Sequence, residues 1–443
     1  MKWITNQSAA LVTDLYELTM AESYFREDMN RPATFELWVR DLAVERNFLV
    51  AAGLADALDF ITEFHFDDDA IEYLATLGRF STPFLDHLRG LKFEGDVWAM
   101  PEGTVVFAAE PIIRVTAPLI QAQIVETFLL NAIGLQTLVA SKAARVHIAA
   151  AGRDIVDFGA RRGHGADAAL KGARAAYLAG ASATSLVATG YHYGIPVTGT
   201  MAHSFVLAHG DERAAFEAFA RSFPDHVVLL IDTYDTVAAA KIVADLAPRL
   251  GDEGITVSAV RLDSGDLGVL AGEVRQILDN AGLEDIQILA SGALDEHRIA
   301  GLLAAGAPID GFGVGTSMIT SSDSPNLDIV YKLVDDWDGP VMKTSPGKAN
   351  LPGVKQVFRR ATGDVIALAD EGLDGLPLLT QVVEQGRLIG VPRSLPEIRE
   401  ATIASIDALP PGLRRLDGPA DSPWVVEVSP RLRRLADDLA SQH

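Results

Sequence analysis

The middle of the chain alternates short apolar runs with longer, alanine-rich amphipathic stretches. The amphipathic stretches, such as TVAAAKIVADLAPRLG and ALDEHRIAGLLAAG, end in glycine, which is the usual stop signal of a helix. This alternation predicts βαβ units and a parallel sheet. The apolar runs, each followed by small or charged residues, are 155–158, 185–188, 227–231, 256–260, 286–289 and 309–312, with 195–197 as a further candidate.

Six or seven such units fit an α/β barrel better than a small open sheet, although periodicity alone leaves a doubly wound open sheet as an alternative. The chain ends differ from the middle: strand-like stretches such as ATFELWVR come early, and GVKQVFRRATGDVIALAD predicts a hairpin that turns at Thr362-Gly363, followed by two terminal helices. We therefore expect an irregular α/β barrel with a second, mixed α+β domain built from the N- and C-terminal segments. The expected parts are 1–120 (β-rich domain, N-terminal part), 121–150 (helical connection), 151–335 (α/β barrel with the catalytic loops) and 336–443 (return to the β-rich domain, with terminal helices).

The amino-acid composition excludes several kinds of site and argues against several kinds of partner. The 443 residues include no cysteine, which excludes disulfides, a thiol nucleophile and a zinc–cysteine site. The formal net charge of −23 argues against nucleic-acid and membrane partners. The simplest explanation of this charge is that it keeps the protein soluble. The N-terminus lacks the features of a signal peptide, and no uncharged apolar run approaches the roughly 18 residues of a membrane helix. We expect a soluble, cytoplasmic protein.

The loops that follow the predicted strands carry the candidate chemistry, because reactive groups gather at the C-terminal ends of barrel strands. The turns 291–293 (SGA) and 313–316 (GVGT) follow buried runs, and glycine lets backbone N–H groups approach an anion closely, although many such turns are only tight turns. Arg161 and Arg162 can bind carboxylate or phosphate through paired hydrogen bonds, or can form a surface ion pair. These loops predict an enzyme that handles a phosphorylated, anionic substrate.

Four aspartates and a histidine lie on the same set of loops. Asp232 and Asp263, like Asp235 and Asp266, can hold Mg²⁺, bind sugar hydroxyls or orient a histidine. Asp235 and Asp266 can equally cap or begin the helices that follow them. His203 is suited to act as a nucleophile or a base, or to be a hydrogen-bonded core residue, and His164 beside the arginines is its rival.

Taken together, these segments resemble the nicotinate phosphoribosyltransferase family. The resemblance is carried, in the order of the family and from about residue 10 to 360, by TDLYELTM, FGARRGHG, GTMAHSFV, LIDTYDT, RLDSGDL, ILASGAL, GFGVGTSMIT and KLVDDWDGPVMKTSPGKANLPGVKQVFRR. It implies a type II phosphoribosyltransferase fold and transfer of phosphoribosyl from phosphoribosyl pyrophosphate to nicotinate in NAD salvage, which gives nicotinate mononucleotide and pyrophosphate. It also implies Mg²⁺ as cofactor, ATP as co-substrate through a phosphohistidine, and a homodimer with shared active sites.

The resemblance further implies roles for single residues, with Tyr16 contributed by the neighbouring subunit. Catalytic roles fall to His203, Asp263 and Asp266, and the two aspartates are also the candidate Mg²⁺ ligands. Nicotinate binding falls to Tyr16, Phe158, Arg161 and Ser182. Binding of phosphate and ribose falls to Arg162, Thr200, Ser204, Arg261, Ser291, Gly292, Ala293, Gly313, Gly315 and Thr316.

Several alternatives remain at this level. The nicotinamide-using relative has an aspartate in the stretch that aligns with GASATS, where this chain has Ser182; a hydroxyl can donate to a carboxylate that an aspartate would repel, which favours nicotinate. A quinolinate-using enzyme needs no phosphohistidine and is shorter. A non-catalytic phosphate- or nucleotide-sensing barrel would not need His203, Tyr16 and the aspartates together. The last 80 or so residues match no motif of the family.

Overall fold

The computed structural model describes residues 8–345 and 350–442. Its contacts divide the chain into two compact units. The barrel unit is Val139–Pro325, and the terminal unit contains the described residues up to Leu138 and from Asn326 onward. The N-terminal and C-terminal parts of the described chain therefore belong to one unit.

Helices form along the amphipathic stretches, and single-turn 3-10 helices occur at Ala9–Leu11 and Ala160–Arg162. The α-helices are α1 (Leu15–Arg26), α2 (Leu54–Thr62), α3 (Asp68–Thr76), α4 (Thr82–Gly90), α5 (Leu119–Ile124), α6 (Glu126–Ala150), α7 (Ala166–Leu178), α8 (Val187–Tyr193), α9 (His203–His209), α10 (Glu212–Ser222), α11 (Thr236–Asp252), α12 (Leu267–Asn280), α13 (Glu296–Ala304), α14 (Thr316–Ile319), α15 (Leu395–Asp407) and α16 (Pro430–Ala440).

Strands form along the apolar runs of the middle and the alternating stretches of both ends. The strands are β1 (Pro32–Val39), β2 (Leu49–Val50), β3 (Asp96–Ala99), β4 (Val105–Val106), β5 (Pro111–Pro118), β6 (Asp154–Asp157), β7 (Ala183–Thr184), β8 (Val227–Leu230), β9 (Val257–Leu262), β10 (Gln287–Ala290), β11 (Gly311–Val314), β12 (Ile329–Asp336), β13 (Gly339–Pro340), β14 (Lys355–Arg360), β15 (Gly363–Leu368), β16 (Leu376–Pro377), β17 (Thr380–Glu384), β18 (Arg387–Leu388) and β19 (Val425–Val428).

A parallel sheet forms the centre of the barrel unit. Its strand order is β7-β6-β11-β10-β9-β8, every neighbouring pair is parallel, and the sheet curls into a half-barrel. The strand interiors are fully buried, as at Leu229, Val260 and Ile288, because helices separate consecutive strands along the chain and cover the sheet. The predicted mixed α/β class with a parallel sheet is confirmed.

One predicted strand ends earlier than expected. The run 185–188 was predicted to be a strand, but β7 stops at Thr184 and α8 begins at Val187. The Oγ1 of Thr184 accepts a hydrogen bond from the N–H of Leu186 at 3.1 Å, and this local bond turns the backbone out of the strand. The candidate run 195–197 contributes only an isolated bridge between Thr184 and Val197.

The terminal unit combines strands from both chain ends. One sheet has the order β13-β12-β1-β5-β3-β17-β18, a second has β16-β14-β15-β19, and β2 pairs with β4. The predicted hairpin is confirmed, since β14 and β15 pair antiparallel up to Arg360 and Gly363, but its turn is Ala361-Thr362, one residue earlier than predicted. The two terminal helices are confirmed as α15 and α16. Phe35 of β1 stacks on Tyr331 of β12 with ring centroids 5.0 Å apart, in the core of this unit.

The stretch Leu119–Ala150 is long and apolar enough to cross a membrane by length and composition alone. However, 72% of its most apolar window is buried inside the protein, which is typical of a core helix in a soluble protein. The expectation of a soluble protein is consistent with this burial.

Candidate active site

A cavity of about 630 Å³ lies in the barrel unit at the C-terminal ends of its strands. It is bordered by the loops that follow β6, β7, β10 and β11, the end of β9 and the loop before α9. The structure brings most of the predicted loops together here, but no residue of the loop after β8 lines the cavity. The lining residues are Phe158, Ala160, Arg161, Arg162, Ser185, Leu186, Gly199, Thr200, Met201, Ala202, Arg261, Asp263, Ser291, Gly292, Ala293, Gly313, Gly315 and Thr316.

The ring of Phe158 is held against the cavity wall by two neighbours. The guanidinium carbon of Arg261 lies 5.8 Å from the ring centroid, and a Cβ placed on Gly313 would come within 2.4 Å of the ring. Any side chain at position 313 would therefore displace Phe158. Gly313 was expected to admit an anion, but its immediate role in the structure is to make room for this ring.

Arg161 and Arg162 line the cavity from the 3-10 turn that follows β6. Both side chains are exposed, and neither forms an ion pair within the part of the chain that the structure describes. The alternative of a surface ion pair is therefore not observed there. Two guanidinium groups without an internal carboxylate are suited to bind an anionic ligand.

Arg261, Asp263 and Ser291 form a hydrogen-bonded group at the cavity. Nη1 of Arg261 lies 3.3 Å from Oδ1 of Asp263, and the hydroxyl of Ser291 donates to the same carboxylate oxygen at 2.5 Å. Burial lowers the pKa of Arg261, while the carboxylates of Asp263 and Asp232 act in the opposite direction. These contacts hold the carboxylate of Asp263 through Oδ1, and its Oδ2 is bonded neither to Arg261 nor to Ser291.

The turn 291–293 has the features of an anion site. Gly292 adopts φ +89°, and a Cβ on it would lie 1.9 Å from the carbonyl oxygen of Asp263, so only glycine fits. Ala293 adopts a left-handed φ of 49°, which is costly for a residue with a Cβ. Nη1 of Arg298 donates to the carbonyl oxygens of Ala293 at 2.8 Å and Gly292 at 3.4 Å. Among the described residues no acceptor is bonded to the N–H groups of Gly292 and Ala293, which are thus available to a phosphate.

His203 begins α9, directly after the cavity-lining segment 199–202. Its Nδ1 lies 3.1 Å from Oγ1 of Thr233, which belongs to the loop after β8. Neither His203 nor the exposed Ser204 is among the lining residues, whereas Thr200 is. His164, the rival histidine, is exposed on the loop before α7.

The four aspartates divide into two pairs. Asp235 and Asp266 cap α11 and α12, since their side chains accept from the N–H groups of the first helical turns. Asp232 accepts from the N–H of Asp263 at 3.0 Å and from the hydroxyl of Ser264 at 2.6 Å, so it orients the loop that carries Asp263. Asp263 lines the cavity and Asp266 does not, and their assignments as Mg²⁺ ligands stay predictions.

The structure does not bring Ser182 to the cavity. Its hydroxyl donates to the carbonyl oxygen of Ile155 at 3.1 Å, whereas Ser185 lines the cavity. The sequence reasoning missed Ser185 because it treated 185–188 as a strand. The signal that was available is the threonine just before it, a residue that often turns the chain through its hydroxyl.

Tyr16 lies in the terminal unit, on α1, with 47% of its surface exposed. Its hydroxyl is hydrogen-bonded to Glu126, and burial of the hydroxyl together with that carboxylate raises the pKa of Tyr16. The ring is therefore anchored at its polar end while part of its surface is open.

No group of three or more His, Asp or Glu side chains in the described ranges is arranged to hold a metal ion. The cavity offers one carboxylate, that of Asp263. This donor set fits Mg²⁺ bound jointly with substrate phosphates, because that ion commonly takes only one or two protein carboxylates.

Comparison with known proteins identifies the family of this chain. A model of the nicotinate phosphoribosyltransferase N-terminal domain matches residues 11–134. The chain is 51% identical over 435 residues to the nicotinate phosphoribosyltransferase pncB2 of Mycobacterium tuberculosis, covering 97% of this chain and 93% of that protein. The chain belongs to the nicotinate phosphoribosyltransferase family. The predicted resemblance is confirmed, and the similarity extends into the C-terminal region that the motifs did not reach.

Other members of the nicotinate phosphoribosyltransferase family agree. The Bacillus subtilis nicotinate phosphoribosyltransferase is 44% identical over 83% of this chain and 77% of its own length. The crystal structure of human nicotinic acid phosphoribosyltransferase has a TM-score of 0.85 at 31% identity, and the match covers 96% of this chain and 99% of that one. The protein is therefore an enzyme of the nicotinate phosphoribosyltransferase type, a glycosyltransferase of NAD biosynthesis.

Proposed function

We propose that this enzyme joins nicotinate to phosphoribosyl pyrophosphate, with release of pyrophosphate, at the cavity of the barrel unit. The observation that carries this proposal is the combination of an aromatic ring, two unpaired arginines and the turn 291–293 around one cavity. An aromatic acid and a phosphorylated sugar together require those three kinds of contact.

The aromatic acid is bound at the loops after β6 and β7. The face of Phe158 packs on the pyridine ring, Arg161 pairs with the carboxylate, and the hydroxyl of Ser185 donates to it. A serine hydroxyl can donate a hydrogen bond to the carboxylate of nicotinate, whereas an acidic side chain at this position would accept one from the amide N–H of nicotinamide. Ser185 therefore takes the role in nicotinate binding that the sequence predicted for Ser182.

The phosphoribosyl group is bound at the loops after β10 and β11. The free N–H groups of the turn 291–293 bind the 5′-phosphate, and Arg162 and Thr316 add charge and a hydroxyl. Asp263 would hold Mg²⁺ together with the substrate phosphates, and the ion would neutralise charge on the departing pyrophosphate.

The reaction then requires positioning more than proton transfer. The nitrogen of the pyridine ring forms a bond to the anomeric carbon of the ribose, while the bond from that carbon to the pyrophosphate oxygen breaks and its electron pair leaves with pyrophosphate. Phe158 and Arg161 hold the ring, and the turn 291–293 holds the sugar, so that the two reacting atoms face each other.

ATP is coupled to this transfer through His203. The γ-phosphoryl of ATP passes to the imidazole with departure of ADP, and water later hydrolyses the phosphohistidine to phosphate. The added charge beside the segment 199–202, which lines the cavity, would change substrate affinity during the cycle. Thr233 supports this role because its hydroxyl already orients the imidazole.

We further infer that the enzyme works as a cytoplasmic homodimer in which Tyr16 closes the nicotinate site of the partner subunit. Its exposed ring and anchored hydroxyl support this. On this proposal the half-barrel and the terminal unit form the irregular barrel and mixed domain of a type II phosphoribosyltransferase. The absence of cysteine suits a reducing compartment.

The test is formation of mononucleotide by the purified protein supplied with phosphoribosyl pyrophosphate, Mg²⁺ and ATP, and with either nicotinate or nicotinamide. We expect turnover of nicotinate only, stimulated by ATP. The stimulation should disappear in His203→Ala and persist in His209→Ala, which removes an exposed histidine from the same helix. Turnover of nicotinamide would refute the substrate assignment, and ATP stimulation in His203→Ala would refute the phosphohistidine.

Shared sites are tested by mixing two weakened variants, Tyr16→Ala and His203→Ala, under conditions of subunit exchange. A mixed dimer would contain one intact site, so about a quarter of all sites should recover at equal amounts. No recovery in a sample that has demonstrably exchanged would show that Tyr16 acts within its own subunit or not at the site.

A further inference from the structure

A buried carboxylate lies behind the cavity at the end of β6. Asp157 is 1% exposed and is not among the lining residues. Its Oδ1 accepts from the N–H of Gly159 at 2.9 Å, and its Oδ2 accepts from Oγ1 of the fully buried Thr184 at 2.8 Å. Both oxygens of one carboxylate are thus engaged, one by the loop after β6 and the other by the last residue of β7.

These bonds continue into the walls of the cavity. Oγ1 of Thr184 accepts from the N–H of Leu186 at 3.1 Å, and the backbone oxygen of Asp157 accepts from the N–H of Ser185 at 2.9 Å. The loop after β6 carries Phe158 and the loop after β7 carries Ser185. Besides the backbone pairing of β6 with β7, the side chain of Asp157 therefore links the two loops directly.

The chemistry of the group explains why an aspartate stands here. Burial raises the pKa of Asp157, and the hydrogen bonds from Thr184 and Gly159 act against that shift. Within the described residues no cation forms an ion pair with it, so the carboxylate is retained at an energetic cost. Only a carboxylate presents an acceptor to both donors, because an amide would turn an NH₂ group toward one of them.

The phosphate-binding turn is held by other contacts. Ser291 donates to Asp263, and the hydroxyl of Ser317 donates to the carbonyl oxygen of Leu294 at 2.5 Å. Arg298 holds the carbonyl groups of the turn itself. Loosening Asp157 should therefore affect one part of the cavity and leave the other in place.

We propose that Asp157 is a positioning residue that sets the spacing between Phe158 and Ser185, and with it the affinity for the pyridine carboxylate. This inference rests on the proposed function, since it assigns nicotinate to those two loops. Asp157 touches no substrate and acts through the turns it holds.

Steady-state kinetics of Asp157→Asn and Thr184→Val, with Thr184→Ser as matched control, test the proposal. Both of the first two variants should raise the KM for nicotinate about tenfold or more, with the KM for phosphoribosyl pyrophosphate within about twofold of wild type. Thr184→Ser keeps the hydroxyl and should stay within about twofold for both substrates. The double variant Asp157→Asn, Thr184→Val should be less impaired than the product of the single effects.

Thermal unfolding of each variant separates positioning from general damage. Equal rises in both KM values that follow a loss of thermal stability would overturn the proposal, as would equal behaviour of Thr184→Val and Thr184→Ser. Failure of the proposed function would appear separately, as a wild-type enzyme that makes no nicotinate mononucleotide. If Asp157→Asn does not fold, the pair of Thr184 variants still decides the question.

Discussion

The barrel unit holds its positive charges in two opposite ways. Lys142 and Arg145 of α6 are almost fully buried and are paired with Asp323 and with Glu296, which begins α13. Lys142 lies 2.6 Å from Glu296 and 2.9 Å from Asp323, and Arg145 lies 2.7 Å from Glu296. We call these four residues the buried ion cluster. Each charge in it is neutralised by the chain itself.

At the cavity, Arg161 and Arg162 are exposed and have no internal partner among the described residues. The difference shows which charges serve the fold and which await a ligand. A buried ion without its partner is strongly unfavourable, whereas an exposed guanidinium remains hydrated until an anion replaces the water. Four predictions break or sharpen this comparison.

Removal of the central acid of the buried ion cluster should have the largest effect. Glu296→Ala leaves two cations buried and should lower the free energy of unfolding by about 3–5 kcal/mol. Denaturant unfolding measures this, and Glu273→Ala on the exposed side of α12 serves as control, with an expected change within about 0.5 kcal/mol. Similar values for the two variants would mean that the cluster does not stabilise the fold.

Removal of a cavity arginine should lower activity and leave stability unchanged. Arg161→Ala should lower kcat/KM about 10- to 100-fold, because a charge-assisted pair with the substrate is lost. Its unfolding free energy should stay within about 0.5 kcal/mol of wild type, because no internal ion pair is broken. Arg249→Ala, which removes a surface arginine paired with Asp245, should leave kcat/KM unchanged. A folded Arg161→Ala enzyme with full activity would contradict the assignment.

The pH dependence of stability should distinguish a paired from an unpaired buried acid. The pKa of Glu296 is lowered by Lys142 and Arg145 against the effect of burial, so its contribution is present at neutral pH and is lost as the pH falls below about 4. Burial raises the pKa of Glu17 in the terminal unit to about 7 against hydrogen bonds from Thr127 and Thr13. Its contribution is therefore present at low pH and is lost as the pH rises from about 4 through about 7.

Glu17→Gln should consequently gain about 1–3 kcal/mol of stability relative to wild type between pH 5 and pH 8. The deficit of Glu296→Gln should instead shrink as the pH falls from 6 to 3. Unfolding free energies measured across this range check both. Curves that move in the same direction for both variants would show that pairing does not decide how the buried acids titrate.

The smallest effect concerns the backbone at the cavity. Ala293→Gly should raise the unfolding free energy by about 0.5 kcal/mol, because release of the left-handed strain slightly exceeds the added freedom of the unfolded chain. Ala300→Gly, within α13, should lower it by about 1 kcal/mol. Destabilisation of equal size in both would mean that Ala293 is not strained.

Local patterns were sufficient for much of the fold. The apolar runs and glycine stops predicted the parallel sheet, and the Thr362-Gly363 turn predicted the hairpin, because these features depend on residues close in sequence. The gathering of loops around the cavity followed from a geometric rule for parallel strands.

Side-chain hydrogen bonds explain what the patterns missed. The early end of β7 depends on the hydroxyl of Thr184, which a pattern of apolar residues does not reveal. For this reason the sequence predicted Ser182 at the cavity, where the structure has Ser185. The buried position of Asp157 and the fit of Gly313 to the ring of Phe158 both depend on contacts distant in sequence. A single sequence contains no local signal for such contacts.

The boundary between the two units falls inside α6, between Leu138 and Val139, rather than in a loop. A protease that needs an extended strand of substrate would find none at this crossing, whereas the second crossing, next to Pro325, is irregular chain. Limited digestion should therefore nick the molecule at one crossing and spare the other. The same asymmetry makes the neighbourhood of residue 325 a better place than residue 138 to open the chain in a circular permutation.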